Sequence, residues 1–353
     1  MRPLEFVPPR CPNRACMAHR IPGPRFYVYA GRYQPKCRSV AIPRFRCKVC
    51  RKGFSYQTFR IDYCDRRPHD NVPLMQALIS GMSLRQAGRM LGMDCHSVQH
   101  KFRKIARHLR ILNRSLTSAL PADRTIGLDE MESFEHRSIQ PVTVPMLVDD
   151  ESKFVLSVGV APIRRTAKKG TKRQRRIEKF ESQHGRRPDH GRQAVRRAFG
   201  RLQRLLGSRR ATLVTDEKFS YATERRRRFG PQVAHVTVNS KAPRTTQNPL
   251  FSINLTEAMM RDNNGRLRRR SWLVTKHRRR LLMQLEMFAA YRNWIRSRTN
   301  KDPLGDTPGV LLGLCPRGLK FEEILAWRQD WRTRSVHPIS ESGRVTIAEM
   351  VAA

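Results

Sequence analysis

The chain has 353 residues, of which 71 are lysine or arginine and only 29 are aspartate or glutamate, so its formal net charge is +42. This length predicts two or three domains at about 150 residues each. The charge favours a polyanionic partner, and nucleic acid before membrane. No apolar run reaches the roughly 18 residues of a membrane-spanning helix, and no secretory signal is visible, so we expect a cytoplasmic protein.

Two short cysteine pairs lie near the N-terminus. Cys11 and Cys16 bracket PNRA, and Cys47 and Cys50 form a CxxC within RFRCKVCRKGFS. In a reducing compartment such pairs are typical of metal ligands rather than of disulfides. Four thiolates can close a tetrahedron around Zn²⁺. We therefore predict a zinc ribbon over residues 1–70, with strands at RFYVYAG and SVAIPRFRC.

The first pair is the less usual one, because CxxxxC is wider than the common spacing of zinc ligands. Three other side chains in the same region are spare candidates: Cys37, Cys64 and His19. The alternative interpretation is that the thiols are scattered and hold no metal.

Residues 71–115 have the pattern of three short helices. Ser83 and Gln86 form a capping box that starts the second helix, and Gly92 supplies the following turn. The third helix carries an apolar stripe at Val98, Phe102, Ile105 and Leu109. Its other face carries the candidate DNA-binding side chains His96, Gln99, His100 and Arg103. This pattern predicts a helix-turn-helix whose third helix enters the major groove; the alternative is three packed helices that bind no DNA.

Residues 122–335 have a mixed strand and helix pattern. Three strands are predicted at TIGLDEMESF, PVTVPMLVDD and FVLSVGVAP, followed by a helix at RQAVRRAFGRLQRLLG and strands at ATLVTDEK and QVAHVTVNS. Two helices, at about 252–269 and 277–297, close the domain. The fold class is therefore α/β, with a mixed sheet and flanking helices.

A basic insertion interrupts this domain near 162–192. From Arg164 to Lys179, nine of sixteen residues are lysine or arginine and one is acidic. Because Gly170 lies within this stretch and Gly185 follows it, we interpret it as a loop or mobile arm. After Trp331 the sequence is polar, and residues 336–353 are predicted to be a loosely held tail.

Two acids follow apolar strand residues in this domain. Asp129 ends the first strand and Asp216 ends the strand after the long helix. Aspartates at the ends of neighbouring strands can share Mg²⁺, which keeps water and substrate phosphate as its other ligands. The alternative is that they cap turns, as Asp149 and Asp150 can.

The order of these motifs over about residues 10–330 resembles bacterial insertion-sequence transposases of the DDE, RNase H-like superfamily, of the InsA/InsB-like type. The stretches that carry the resemblance are RFRCKVCRKGFSYQTFRIDY, LDEMESFEH, TDEKFSY, INLTEAMMRDNNGRLRRRSWLVTK and AYRNWIRS. It implies an RNase H-like catalytic domain that uses Mg²⁺ or Mn²⁺ to cleave transposon ends and transfer them to target DNA. Terminal-repeat and target DNA are then the partners, the protein acts as a homo-oligomer on DNA in the nucleoid, and Asp129 and Asp216 are the first two metal ligands.

The third ligand is where the sequence departs from the superfamily, which usually has glutamate on a helix. Register with the downstream Arg261 and Arg266 points to Asn254, and Glu257 lies one helical turn further on. Asparagine offers a neutral carbonyl oxygen, a weaker Mg²⁺ ligand. On the sequence we prefer Asn254 and keep Glu257 as the alternative.

A second basic region lies between 261 and 280, with nine lysines and arginines. Those that we assign to DNA phosphates are Arg261, Arg266, Arg269 and Lys276. Trp272 is interpreted as a core anchor rather than as a platform for a base. Two other functions stay open. One is a zinc-ribbon and helix-turn-helix regulator with an inactive nuclease-like domain. The other is a basic RNA-binding protein, which is disfavoured because a helix-turn-helix fits the groove of B-DNA better than that of A-form RNA.

Overall fold

The computed structural model describes residues 6–37, 39–243, 245–268 and 272–329. The described residues form two compact units, residues 6–75 with 320–329, and residues 76–319. The sequence predicted separate parts for residues 71–115 and 122–335, but helices and sheet from both ranges share the second unit. The predicted tail, 336–353, lies outside the described residues.

The first unit contains a small antiparallel sheet. Its strands are β1 (Tyr27–Tyr33), β2 (Ile42–Cys47) and β3 (Gly53–Ser55), in the order β1-β2-β3, and they follow a short helix, α1 (Met17–Arg20). An aromatic core covers one face, where Phe6 makes edge contacts with Phe45 and Tyr56 at ring-centroid distances of 5.6 Å and 5.2 Å. Aromatic pairs of this geometry stabilise small cores that few aliphatic residues fill.

Three consecutive helices precede the large sheet: α2 (Asn71–Ile79), α3 (Leu84–Met90) and α4 (Cys95–Leu116). The predicted capping box of α3 is confirmed, because Ser83 Oγ accepts from the Gln86 amide and Gln86 Oε1 accepts from the Ser83 amide, each at 3.1 Å. The predicted apolar stripe of α4 is also confirmed. Its four members are at most 1% exposed: Val98, Phe102, Ile105 and Leu109.

The second unit is built on a mixed six-stranded sheet. Its strands are β4 (Arg124–Phe134), β5 (Pro141–Asp149), β6 (Val155–Val158), β7 (Ala161–Pro162), β8 (Ala211–Asp216) and β9 (Val233–Val238). The order is β6-β5-β4-β8-β9, with β7 on β5. The β4–β5 and β5–β6 pairs are antiparallel, whereas β4–β8 and β8–β9 are parallel. The predicted α/β class with a mixed sheet is confirmed.

Helices flank this sheet. They are α5 (Lys172–His184), α6 (Gly191–Leu206), α7 (Phe219–Arg228), α8 (Phe251–Asp262), α9 (Arg278–Trp294) and α10 (Pro308–Leu311); a further helix, α11 (Phe321–Ala326), belongs to the first unit. Helix α8 packs on β4 and β5, and α9 packs on β6 and α4. Helix α6 packs on β5 and β6. None of the described helices is both long and apolar enough to cross a bilayer.

Two predictions for this unit need correction. The first half of the basic stretch Arg164–Lys179 is a loop as expected, but its second half belongs to α5, which begins at a cap where Thr171 Oγ1 accepts from the Gln174 amide. An ion pair between Arg164 and Glu181, at 2.9 Å, holds it without any buried side chain. Trp272 is no core anchor, because its side chain is 99% exposed.

Candidate functional site

The four predicted zinc ligands come together in the first unit. All four sulfur atoms lie within 4.8 Å of one another, and Cys11, Cys16 and Cys47 are buried. The Cys11–Cys50 sulfurs are 3.5 Å apart and the Cys16–Cys47 sulfurs 3.8 Å. Tetrahedral zinc with bonds of about 2.3 Å puts its sulfurs about 3.8 Å apart. The cluster is therefore compatible with a zinc site.

Tight turns place the thiols. The Cys47 amide donates to Lys52 O and the Arg51 amide to Cys47 O, each at 3.0 Å, and Arg51 has φ +59°. A second turn, at Cys16, is held by a hydrogen bond from the Cys16 amide to Asn13 O at 3.0 Å. The left-handed residue lets the chain reverse right after Cys50, which turns its sulfur toward the other three.

The thiols of this cluster have different acidities. Burial raises the pKa of Cys11 to about 12, whereas a hydrogen bond from the Lys52 backbone lowers the pKa of Cys50 to about 6. Of the spare candidates, His19 Nδ1 contacts the Cys11 carbonyl at 2.6 Å, Cys37 Sγ donates to Asp65 O, and Cys64 is exposed. None of the three joins the cluster.

Asp129 and Asp216 lie on neighbouring strands of the second unit. The β4–β8 pair is parallel, and its last paired residues are Leu128 and Thr215. The two aspartates therefore follow one position later on each strand. The prediction that Asp129 ends its strand was wrong, because β4 continues to Phe134 in its pairing with β5. Asp216 is also the last residue of β8, so the pair lies at the carboxyl end of a parallel strand, where α/β sheets commonly bind ligands.

Both aspartates stand on the same face of the sheet. Asp129 pairs with Met146 across β5, and Asp216 pairs with Val238 across β9. Met146 and Val238 belong to the core that α8 also enters through Ile253. Because directly paired residues point to the same side, both carboxylates stand on the side that α8 covers.

The residue after Asp129 anchors a second polar group. Glu130 Oε1 accepts from the Tyr221 hydroxyl at 2.8 Å, and Glu130 Oε2 accepts from Thr143 Oγ1 at 2.6 Å. Lys218 forms an ion pair with the same carboxylate, and its Nζ lies 5.4 Å from the Tyr221 ring centroid. Helix α7 thus holds Tyr221 and its capping residue Lys218 against the strand that carries Asp129.

Negative charge converges on the buried phenol. The pKa of Tyr221 lies far above its usual range, first because the ring is only 1% exposed and then because of the negative charges of Glu130, Asp216 and Asp129. Of the three, Glu130 is the carboxylate that the hydroxyl contacts, at 2.8 Å. In a chain of net charge +42 this is a local concentration of acid, which is the donor set that a hard divalent cation prefers.

Helix α8 carries the two candidates for a third ligand. Ile253 packs on β4, because a Cβ built on Gly127 would lie 3.5 Å from Ile253 Cβ. Glu257, one turn further, is buried on the same helix face, and Asn254 is half-buried. The Glu257 carboxylate pairs with Arg261 at 3.4 Å.

The carboxylates do not form a closed cluster of three. Among the described residues, the four cysteines are the one group of three or more His, Cys, Asp or Glu side chains whose ligand atoms lie within 4.8 Å of one another. Asp129, Asp216 and Glu257 therefore stay further apart than that. Two strand carboxylates still fit Mg²⁺, which keeps most of its shell for water and phosphate.

The predicted DNA-binding side chains are in different environments. His96, His100 and Arg103 are exposed on α4, and Lys276 is exposed before α9. Three others make contacts within the fold: Gln99 accepts from Arg280 at 3.0 Å, Arg266 donates to Gln284 at 2.9 Å, and Arg261 pairs with Glu257. Arg269 lies outside the described residues.

Sequence reasoning missed the group formed by Glu130, Tyr221 and Lys218. The signal was present, because Glu130 follows Asp129 and both Lys218 and Tyr221 follow Asp216 closely within TDEKFSY. What hid it was helix α7, which ends in four arginines and buries only Tyr221 and Glu224, so it has no apolar period.

Comparison with known proteins adds no identity to this geometry. The sequence matches no model of a known protein family and no curated protein.

Proposed function

We propose that this chain is a DNA transposase of the DDE type, which binds the ends of a mobile element and cleaves and joins DNA with Mg²⁺ or Mn²⁺. The observation that carries the proposal is the position of Asp129 and Asp216 on adjacent parallel strands, on one face of the sheet. Carboxylates facing DNA phosphates repel them unless a cation lies between.

The sheet supports the RNase H-like part of the proposal. Three antiparallel strands, β4 to β6, are followed by two parallel ones, β8 and β9, with α6 and α8 packed on the sheet. This is the mixed sheet with flanking helices that the resemblance implies. The motif LDEMESF lies within β4 and TDEK begins at the end of β8, so their first acids, Asp129 and Asp216, are on neighbouring strands.

In this proposal Asp129 and Asp216 hold the cation. The bound ion supplies activation of the attacking oxygen and stabilisation of the leaving oxygen in phosphodiester cleavage. Tyr221 and Lys218 act as positioning residues, because both contact Glu130 and so fix the strand position next to Asp129. Packing favours Glu257 as a third ligand, since it shares the buried face of α8 with Ile253.

DNA recognition is assigned to the other parts of the chain. The four-cysteine cluster would hold a structural Zn²⁺ that stabilises the aromatic core around it. Helices α3 and α4 would form the helix-turn-helix, with His96, His100 and Arg103 exposed toward a groove. Phosphate contacts from the many arginines would supply affinity without sequence preference.

The test uses purified full-length protein and a labelled duplex with the genomic sequence that flanks the coding region. With Mg²⁺ we expect cuts at the element boundary that leave a 3′-hydroxyl, and joining of that end to a supercoiled plasmid. A chelator should abolish both. Specific binding of the duplex without any cut in Mg²⁺ or Mn²⁺ would contradict the proposal. It would favour the alternative function, a regulator that binds DNA and does not cleave it.

A further inference from the structure

A pocket of about 470 Å³ lies in the second unit, and Asp129, Asp216 and Glu257 are not among the residues that line it. Its walls come from α4, α6 and α9, and β6 forms its floor. In the sheet, β6 is separated from β4 by β5, so the pocket lies over the edge opposite β9. Its volume is in the range of small-ligand sites.

The wall of this pocket is strongly basic. Its charged members are Arg110 and Arg114 on α4, Arg197, Arg201 and Arg204 on α6, and Glu286 on α9. Glu286 is the one acid among the lining residues, all of which lie in the described part of the chain. Five guanidinium groups against one carboxylate leave a concentrated positive charge inside a concave surface.

The fold keeps these cations together at an electrostatic cost. The pKa of Arg201 is lowered to about 10, first by burial and then by the charges of Arg114 and Arg204. The Arg201 guanidinium donates to Thr117 O at 2.9 Å, which fixes it at the pocket wall. An anion in the pocket would offset this repulsion, and arginine binds phosphate with two parallel hydrogen bonds.

The floor is mostly apolar, and Ser157 is the polar side chain that β6 contributes to it. Leu156, Val158 and Val160 lie along the β6 side, and Leu282 and Ala289 face them from α9. A bare inorganic anion has no use for such a surface, whereas a sugar and base can cover it. We propose that this pocket binds a nucleoside phosphate, with its phosphate on the α4 and α6 arginines and its nucleoside on the β6 floor.

Glu286 is the specificity element of this site. Its carboxylate lies 3.6 Å from Arg110, and burial raises its pKa to about 7. The ionised carboxylate repels a bound anion and so limits the negative charge of the ligand that the pocket accepts. Substitution by glutamine removes this opposition while the shape of the pocket stays the same.

The ligand has two possible sources, a free nucleotide or an unpaired nucleotide of a DNA strand. The proposal does not depend on the carboxylate site, because binding needs neither Asp129 nor Asp216. The assay therefore contains a chelator and no divalent cation, so that loss of cleavage and loss of nucleotide binding are separate results.

The experiment measures binding of fluorescent deoxyadenosine diphosphate and of labelled single-stranded pentathymidylate to the full chain at fixed salt and about pH 8. We expect Arg197→Ser with Arg204→Ser to weaken binding of at least one probe by about tenfold or more, because each substitution removes a charged hydrogen-bond donor to the phosphate. Glu286→Gln should strengthen it. Arg226→Ser with Arg227→Ser is the matched control, because both side chains are exposed on α7 and the same charge is removed.

The outcomes separate the sources. If Arg197→Ser with Arg204→Ser weakens binding of the diphosphate alone, the ligand is a free nucleotide. If it weakens binding of the pentathymidylate alone, the ligand is an unpaired nucleotide of a DNA strand. Equal weakening by the two double variants would overturn the proposal, because binding would then follow net charge. Unchanged or weaker binding by Glu286→Gln would also overturn the proposal, because this variant keeps all five arginines of the pocket.

Discussion

The hydroxyl of Tyr221 donates to the carboxylate of Glu130 at 2.8 Å, and this bond joins helix α7 to the strand that carries Asp129. The phenol is buried, and its hydroxyl contacts the Glu130 carboxylate, which points away from the sheet face of Asp129. This hydrogen bond links the geometry of the proposed cation site to the stability of the sheet. Its contribution can therefore be tested by measurements of unfolding and of cleavage.

Stability should depend on Tyr221 at alkaline pH. The pKa of Tyr221 is raised in the folded state, whereas an unfolded tyrosine titrates at about 10. Above that pH the unfolded chain releases its proton and the folded chain keeps it, so stability falls as pH rises. We expect the urea midpoint of the wild type to drop more between pH 8 and about 10.5 than that of Tyr221→Phe. Tyr29→Phe, at an exposed site, should behave like the wild type, and an equal drop in all three proteins would refute the prediction.

One zinc ion per chain should depend on the cysteine cluster. Cys47 is fully buried with its sulfur 3.8 Å from Cys16, whereas Cys64 is exposed outside the cluster. Elemental analysis should find one zinc in the wild type and in Cys64→Ser, and none in Cys47→Ser. Because metal binding and folding are coupled in such sites, a chelator should also lower the thermal midpoint of the wild type. Zinc retained by Cys47→Ser would contradict the assignment.

Glu257 and Asn254 can be separated by substitution. Glu257 is buried on the sheet-facing side of α8, and Asn254 is half-buried beside it. We expect Glu257→Gln to reduce the cleavage rate by orders of magnitude and Asn254→Ala to retain most of it. Circular dichroism controls for folding, since Glu257 also pairs with Arg261. The reverse ranking would assign the third ligand to Asn254.

Helix α5 should clamp DNA without reading it. Arg175, Arg176 and Lys179 are exposed on this helix, which buries no side chain. Their replacement by serine should shallow the salt dependence of DNA binding, by about 0.9 in log K against log salt for each phosphate that the helix no longer neutralises. Preference for the flanking duplex over random DNA should persist, because phosphate contacts carry no sequence information. Loss of that preference would contradict the prediction and show that α5 contributes to sequence recognition.

The sequence was sufficient to predict elements whose buried residues recur at helical spacing or whose ends carry a local signal. The α4 stripe from Val98 to Leu109 repeats every three or four residues, and the capping box of Ser83 and Gln86 is a local signal. Both were predicted and both are confirmed. The strands of the large sheet were also predicted, since their apolar runs are bounded by turn residues.

Where long-range contacts decide, the sequence was not sufficient. Helix α5 has no buried face, so its composition looked like a loop, and a distant partner, Arg164 with Glu181, holds it. Gln99 and Arg266 looked like surface residues because nothing local reveals that Arg280 and Gln284 contact them. Trp272 was misjudged for the opposite reason, since a large apolar side chain is usually buried and this one is exposed.

The most direct test of the central claim is the rate at which aspartate variants cleave the labelled flanking duplex in Mg²⁺. Asp129→Asn and Asp216→Asn should lose cleavage while they bind the duplex as tightly as the wild type or more tightly, because a negative charge facing the phosphates is gone. Asp123→Asn is the matched control, since Asp123 is exposed and pairs with Arg210 at 3.1 Å; it should cleave normally. Cleavage at the wild-type rate by Asp129→Asn or Asp216→Asn would contradict the account.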